Sequence, residues 1–65
     1  MMELDHQKLD LARARSGKNV SELAKACEMS RQRMSNILNS VRVSPVNAGK
    51  LAKALDVDVT EIIKV

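Results

Sequence analysis

Apolar residues recur at helical spacing in three places along this chain. Val20, Leu23, Ala24 and Cys27 fall at i, i+3, i+4 and i+7, one face of a helix. Met34, Ile37, Leu38 and Val41 repeat the pattern, and so do Ala48, Leu51, Ala52 and Leu55. A weaker stripe, Leu4, Leu9, Leu11 and Ala12, precedes them. Start and stop signals bound each run. Asp5 caps a first helix that ends near Arg15 or Ser16, with Gly17 as its stop, and Met1 to Leu4 read as a frayed end. Asn19 with Glu22 three residues on forms a capping box for the second helix, and Ser30 caps the third. Ser44-Pro45 opens the fourth, a cap followed by Pro at the first helical position.

Only Glu28 and Met29 separate the second helix from the third, so residues 19–40 predict a helix-turn-helix. The apolar-basic-apolar run Val41-Arg42-Val43 predicts a short extended connector, with Arg42 placed to reach a phosphate. Gly49 inside the fourth helix predicts close packing against a neighbour. Asp56 to Thr60 alternates with period two, but one strand of that length has no obvious partner. The preferred reading is a turn, then a short last helix capped by Asp58 and carrying Ile62 and Ile63. The architecture expected is all-α, four to five helices in a single domain spanning residues 1–65.

Composition agrees with that picture. Sixty-five residues lie near the lower limit for independent folding, and Phe, Tyr and Trp are all absent, so the core must be small and aliphatic. Missing aromatics also count against recognition of single strands by base stacking. Net charge is +3, unevenly spread: residues 11–53 carry nine bases against Glu22 and Glu28, while the flanks are acidic. A concentrated basic segment supplies the counterion-release term of DNA affinity.

The outward face of the third helix carries the chemistry. Advancing about 100° per residue from Arg31 sets Gln32, Ser35, Asn36, Asn39 and, were the helix to continue, Arg42 opposite the apolar stripe. No acid lies on that face. Arg suits guanine O6 and N7, Gln or Asn suits adenine N6 and N7, and Ser suits either. Cys27, the sole cysteine, reads as a small core residue, and His6 has no second histidine beside it. No metal, cofactor or small-molecule ligand is expected. No apolar run suits a membrane span and no signal-peptide core is present, so the expected location is the cytoplasm.

These residues, in this order, resemble the lambda-repressor-like helix-turn-helix family, the Cro-like or XRE-type regulators of phages and bacteria. The resemblance runs from about Leu9 to Ile63. Its carriers are Arg13, Gly17, Asn19-Val20-Ser21-Glu22-Leu23-Ala24, Ser30-Arg31-Gln32, Ile37, Asn39, Ser44-Pro45 and Leu51-Ala52-Lys53-Ala54-Leu55-Asp56-Val57. It implies a five-helix domain whose third helix enters the major groove. By position, Arg31, Gln32, Ser35 and Asn36 would face bases. Asn19, Val20 through its backbone, Asn39 and Arg42 would hold phosphates, and Arg33, on the edge of the face, also suits a phosphate.

Three positions depart from the family pattern. Glu28 stands where the turn usually has Gly, which costs on the order of 1 kcal/mol if the backbone there is left-handed. Leu38 stands where an acid often pairs with the first-helix arginine, leaving Arg13 to find another partner. Ser40 replaces the Gly that usually follows the asparagine, so the loop after the third helix is expected to differ.

The leading functional expectation is a sequence-specific duplex-DNA-binding transcriptional regulator, a phage or mobile-element type repressor. It would act as a homodimer, with Ile62, Ile63 and Val65 as the apolar dimer surface. The alternative is a protein-interaction module of the same fold, an antitoxin-like partner or anti-repressor. An enzyme is excluded by the lack of a cysteine–histidine pairing, a carboxylate pair in a plausible pocket or a Gly-rich phosphate loop.

Overall fold

A computed structural model describes residues 1–65. Four helices carry the fold: α1 (His6–Ser16), α2 (Val20–Ala26), α3 (Arg31–Asn39) and α4 (Pro45–Ala54), followed by one 3₁₀ turn at Val59–Glu61. Each begins where a side chain satisfies an orphan backbone N–H. Asp5 accepts from Lys8, Ser30 from Arg33, Ser44 from Asn47 and Asp58 from Thr60, while Asn19 and Glu22 close a reciprocal box at 2.8 and 3.0 Å.

The helix ends are equally local. Gly17 stops α1 at φ 68°, its N–H bonding back to Arg13 O. Helices α2 and α4 end alike. Glu28 (φ 56°) donates to Lys25 O and Met29 to Ala24 O; Asp56 (φ 59°) donates to Lys53 O and Val57 to Ala52 O. Both are Schellman closures whose left-handed position holds an acid instead of Gly. The turn geometry predicted at Glu28 is therefore present, and a second copy of it follows α4.

The N-terminus is tied down, not frayed. Strands β1 (Met2–Glu3) and β2 (Arg42–Val43) pair antiparallel, Met2 opposite Val43 and Glu3 opposite Arg42. On its other edge this segment meets the C-terminus: Leu4 bridges Ile63, Lys64 N donates to Glu3 O and Asp5 N to Ile62 O, both at 2.9 Å. Leu4 is consequently 1% exposed.

All sixteen buried residues are apolar and form one cluster. Leu9 and Ala12 supply α1, Leu23, Ala24 and Cys27 supply α2 and its cap, Met34 and Leu38 supply α3, and Ala48, Leu51, Ala52 and Leu55 supply α4. Five expectations need correction. The last helix is a single 3₁₀ turn, Val59–Glu61, which stops before Ile62 and Ile63 because Ile63 bridges Leu4 in extended form. Ile62 and Ile63 are 0% and 5% exposed, packed in the protomer's own core, so they offer no apolar surface to a partner; Val65 alone is exposed, at 93%. Val41 is not part of the α3 stripe, because α3 ends at Asn39 and the extended backbone from Ser40 turns Val43 inward in its place. Leu11 faces solvent, since Leu9 and Ala12 already fill the side of α1 that meets the core. Gly49 is not a close-packing position: a Cβ built on it meets nothing within 4 Å.

Candidate nucleic-acid interface

Helix α3 is held from below and displays its other side. Met34 and Leu38 anchor it, Ile37 is half-buried, and the opposite positions are open: Arg31, Gln32, Arg33, Asn36 and Asn39 are exposed and Ser35 is half-buried. Val20 at the start of α2 joins Arg31, Gln32 and Ser35 in lining one shallow recess, so the beginning of α2 and the outward side of α3 form a continuous surface. Asn19 lies beside it, exposed, with its carbonyl engaged in the cap and its Nδ2 not needed there. Arg42 is exposed on β2, beyond the end of α3. Of the residues predicted to contact DNA, Val20, Arg31, Gln32 and Ser35 are brought together in that recess, Arg33, Asn36 and Asn39 lie on the same helix, and Asn19 and Arg42 belong to flanking segments.

Hydrogen bonds within α3 order its polar side chains. Gln32 Nε2 donates to Asn36 Oδ1 at 3.1 Å, an i, i+4 pair, and Asn39 Nδ2 donates to Ser35 O at 3.0 Å. Neither was drawn from the sequence, although the i, i+4 spacing of two amides is the signal that permits the first. The far end of α3 is fixed from α1: His6 Nε2 donates to Ser40 O at 2.8 Å. Ser40 is extended (φ −83°, ψ 156°), and its N–H and Oγ both return to Ile37 O. A left-handed glycine is therefore not required after α3, and Ser40 closes the helix by its hydroxyl.

The two ion pairs, Arg15–Glu61 at 3.6 Å and Lys64–Glu3 at 3.0 Å, both lie away from α3. Arg31 and Arg33 form no ion pair and α3 has no acid, while Arg42 stands opposite Glu3 across the ribbon, whose carboxylate pairs with Lys64. Glu22, the nearest acid in sequence to the start of α2, is turned back onto Asn19 N. At Cys27 burial pushes the thiol pKa up, with Lys50 and Lys18 pulling partly the other way; the protonated sulfur donates to Lys50 O. That thiol is a packing element, not a nucleophile. Arg13 finds no acid: its Nε is buried and without a hydrogen-bond partner, while Leu38 is buried in the core.

A helix family model, described simply as helix-turn-helix, matches residues 9–62, most of the chain. The chain belongs to the XRE-type, lambda-repressor-like helix-turn-helix family. Neither the comparison with curated proteins nor that with solved structures gave a match. Membership makes this a domain of a DNA-binding regulator family that is not enzymatic. In this helix-turn-helix member, α2 and α3 form the motif, and no helix is long and apolar enough to cross a membrane.

Proposed function

We propose that the protein is a sequence-specific duplex-DNA-binding transcriptional regulator, of the repressor type found on phages or mobile elements, working in the cytoplasm as a homodimer. Helix α3 lies in the major groove. Arg31, Gln32, Ser35 and Asn36 face base edges, and Asn19, the Val20 backbone N–H, Arg33, Asn39 and Arg42 hold the flanking phosphates. The observation that carries this reading is the outward side of α3: exposed, free of acids, and bearing two arginines that no carboxylate neutralises. A guanidinium left free of intramolecular partners keeps its bidentate donors for guanine or phosphate.

Size argues for two copies. The molecule measures 27 × 23 × 16 Å, shorter than the roughly 34 Å between successive major-groove faces on one side of the duplex. One protomer therefore covers one half-site. With Ile62 and Ile63 buried, the dimer must use other surface, of which Val65 is one exposed apolar element.

The test is selection from random duplex DNA, at moderate and high salt, with the wild type and with Arg31→Ala. The wild type enriches a two-fold-symmetric motif and the variant loses one base column per half-site, a discrimination of roughly 1–3 kcal/mol. Affinity falls log-linearly with salt. Enrichment of nothing at either salt overturns the proposal and directs the search to protein partners.

A further inference from the structure

From the amide pair on α3 we infer that Gln32 and Asn36 read DNA as one coupled unit, in which Asn36 sets the orientation of Gln32. This rests on the major-groove reading above and specifies which base edges that helix recognises.

A primary amide has two N–H groups, one on the side of its own carbonyl oxygen and one on the far side. Bidentate recognition of adenine uses the carbonyl oxygen, which accepts from N6–H, and the near N–H, which donates to N7. The far N–H is not needed for adenine. In α3, Gln32 spends one N–H on Asn36 Oδ1, 3.1 Å away, while its carbonyl oxygen takes no hydrogen bond within the protein. With the far N–H as donor, Gln32 keeps the full adenine-reading pair and loses a rotational freedom it would otherwise surrender on binding. Both residues are exposed, so water competes until the groove excludes it, and the hydrogen bond then strengthens as the local dielectric falls.

The same bond fixes what Asn36 presents. One of the two lone pairs of its Oδ1 is engaged by Gln32, which turns the oxygen along the helix and favours presentation of the Nδ2 donors to DNA. Donors match the acceptor-bearing edges of the major groove, guanine N7 and O6 or thymine O4, and not the amino edge of cytosine. The half-site therefore contains an adenine read by Gln32 next to a guanine or thymine read by Asn36, and Asn36 governs both columns.

The experiment repeats the selection from random duplex DNA with Asn36→Asp and Asn36→Ala, both at an exposed helical position, with thermal melts to verify folding. Asn36→Asp keeps an acceptor for Gln32 but removes the donors. It retains the adenine column and converts the neighbouring column to a donor-bearing base, cytosine or adenine. Asn36→Ala removes the anchor: the adenine preference drops by on the order of tenfold although Gln32 is intact. An adenine column unchanged in Asn36→Ala shows that the two residues read independently and overturns the inference while leaving the DNA reading in place. Loss of the adenine column in Asn36→Asp overturns it too, since the acceptor is still there. A wild type that enriches no motif fails the DNA reading itself, a result distinct from either.

Discussion

Replacing Gly49 by Ala should stabilise this protein, and the size of the effect follows from the backbone. Gly49 lies inside α4 (Pro45–Ala54), where Gly costs about 1 kcal/mol relative to Ala because more backbone entropy is lost on folding. That gain survives only if the new methyl group clashes with nothing, and a Cβ there has no neighbour within 4 Å. At about 2.1 cal/mol/K per residue, 65 residues give an unfolding entropy near 140 cal/mol/K, so 1 kcal/mol moves the melting temperature by about 7 °C. Gly17→Ala is the internal contrast. At φ 68° a side chain is strained whatever space surrounds it, and Tm should fall by a similar amount. Differential scanning calorimetry of the two variants beside the wild type decides the matter. A Gly49→Ala protein that melts at or below the wild-type temperature would refute the argument.

Three further outcomes are expected. Glu28→Gly relieves a left-handed non-glycine position at the α2–α3 turn, so its Tm is unchanged or higher, and a clear drop in a thermal melt would contradict the strain argument. Arg13→Met removes a buried N–H that has no partner, and since an unsatisfied buried donor costs roughly 1–3 kcal/mol, the variant should melt at or above the wild-type temperature by calorimetry; a loss of several degrees would mean the guanidinium holds something the Nε does not reveal. The side-chain and backbone hydrogen bonds from Thr60 hold the Asp58 carboxyl below its ordinary range, so its stabilisation is present above the unfolded-chain pKa near 4 and disappears as pH falls through the lower folded value. Asp58→Ala should accordingly be less stable than wild type at neutral pH and converge with it in acid, whereas a gap in Tm that does not change with pH would rule out this linkage.

How much of this was legible in the sequence depends on the range of the interaction. Caps act over three residues, so Asp5, Asn19 with Glu22, Ser30, Ser44 and Asp58 announce the helix starts they make. The left-handed Glu28 was legible from a turn pattern, and Leu55-Asp56-Val57 repeats the apolar-acid-apolar order of Cys27-Glu28-Met29 at the second left-handed acid, Asp56. The alternation of Val41-Arg42-Val43 announced the extended second strand of the ribbon, but its pairing was not legible, because Met2 and Val43 are about forty residues apart and the two residues of β1 carry no periodicity to detect. Ile62 and Ile63 looked like surplus apolar surface for the same reason: the Leu4 bridge that draws them inward is non-local. His6 gave no local hint of Ser40, thirty-four positions away. On α3 the outward residues could be placed by angle alone, but not the direction of the Gln32–Asn36 hydrogen bond, which decides what they offer.

The uneven charge along the chain acquires a structural meaning once the acids are located. Of the six flanking acids, Glu3 and Glu61 make the two ion pairs, and Asp5 and Asp58 cap the first helix and the last turn, with Glu61 also completing the Asp58 box. Glu22 completes the box that starts α2. Most carboxylates are thus committed to local backbone or to cations remote from α3. Arg31 and Arg33 receive none of them, and Glu3, opposite Arg42 on the ribbon, pairs with Lys64. Arg31 and Arg33 are thus left unpaired on α3 in a chain whose net charge is only +3, a modest total that limits self-repulsion. In the proposed complex such a surface would attract phosphate over a Debye length of about 8 Å at physiological salt, and the side chains on α3 would then discriminate between bases. The caps that fix the helices and the arginines left unpaired on α3 are two consequences of the same placement of acids.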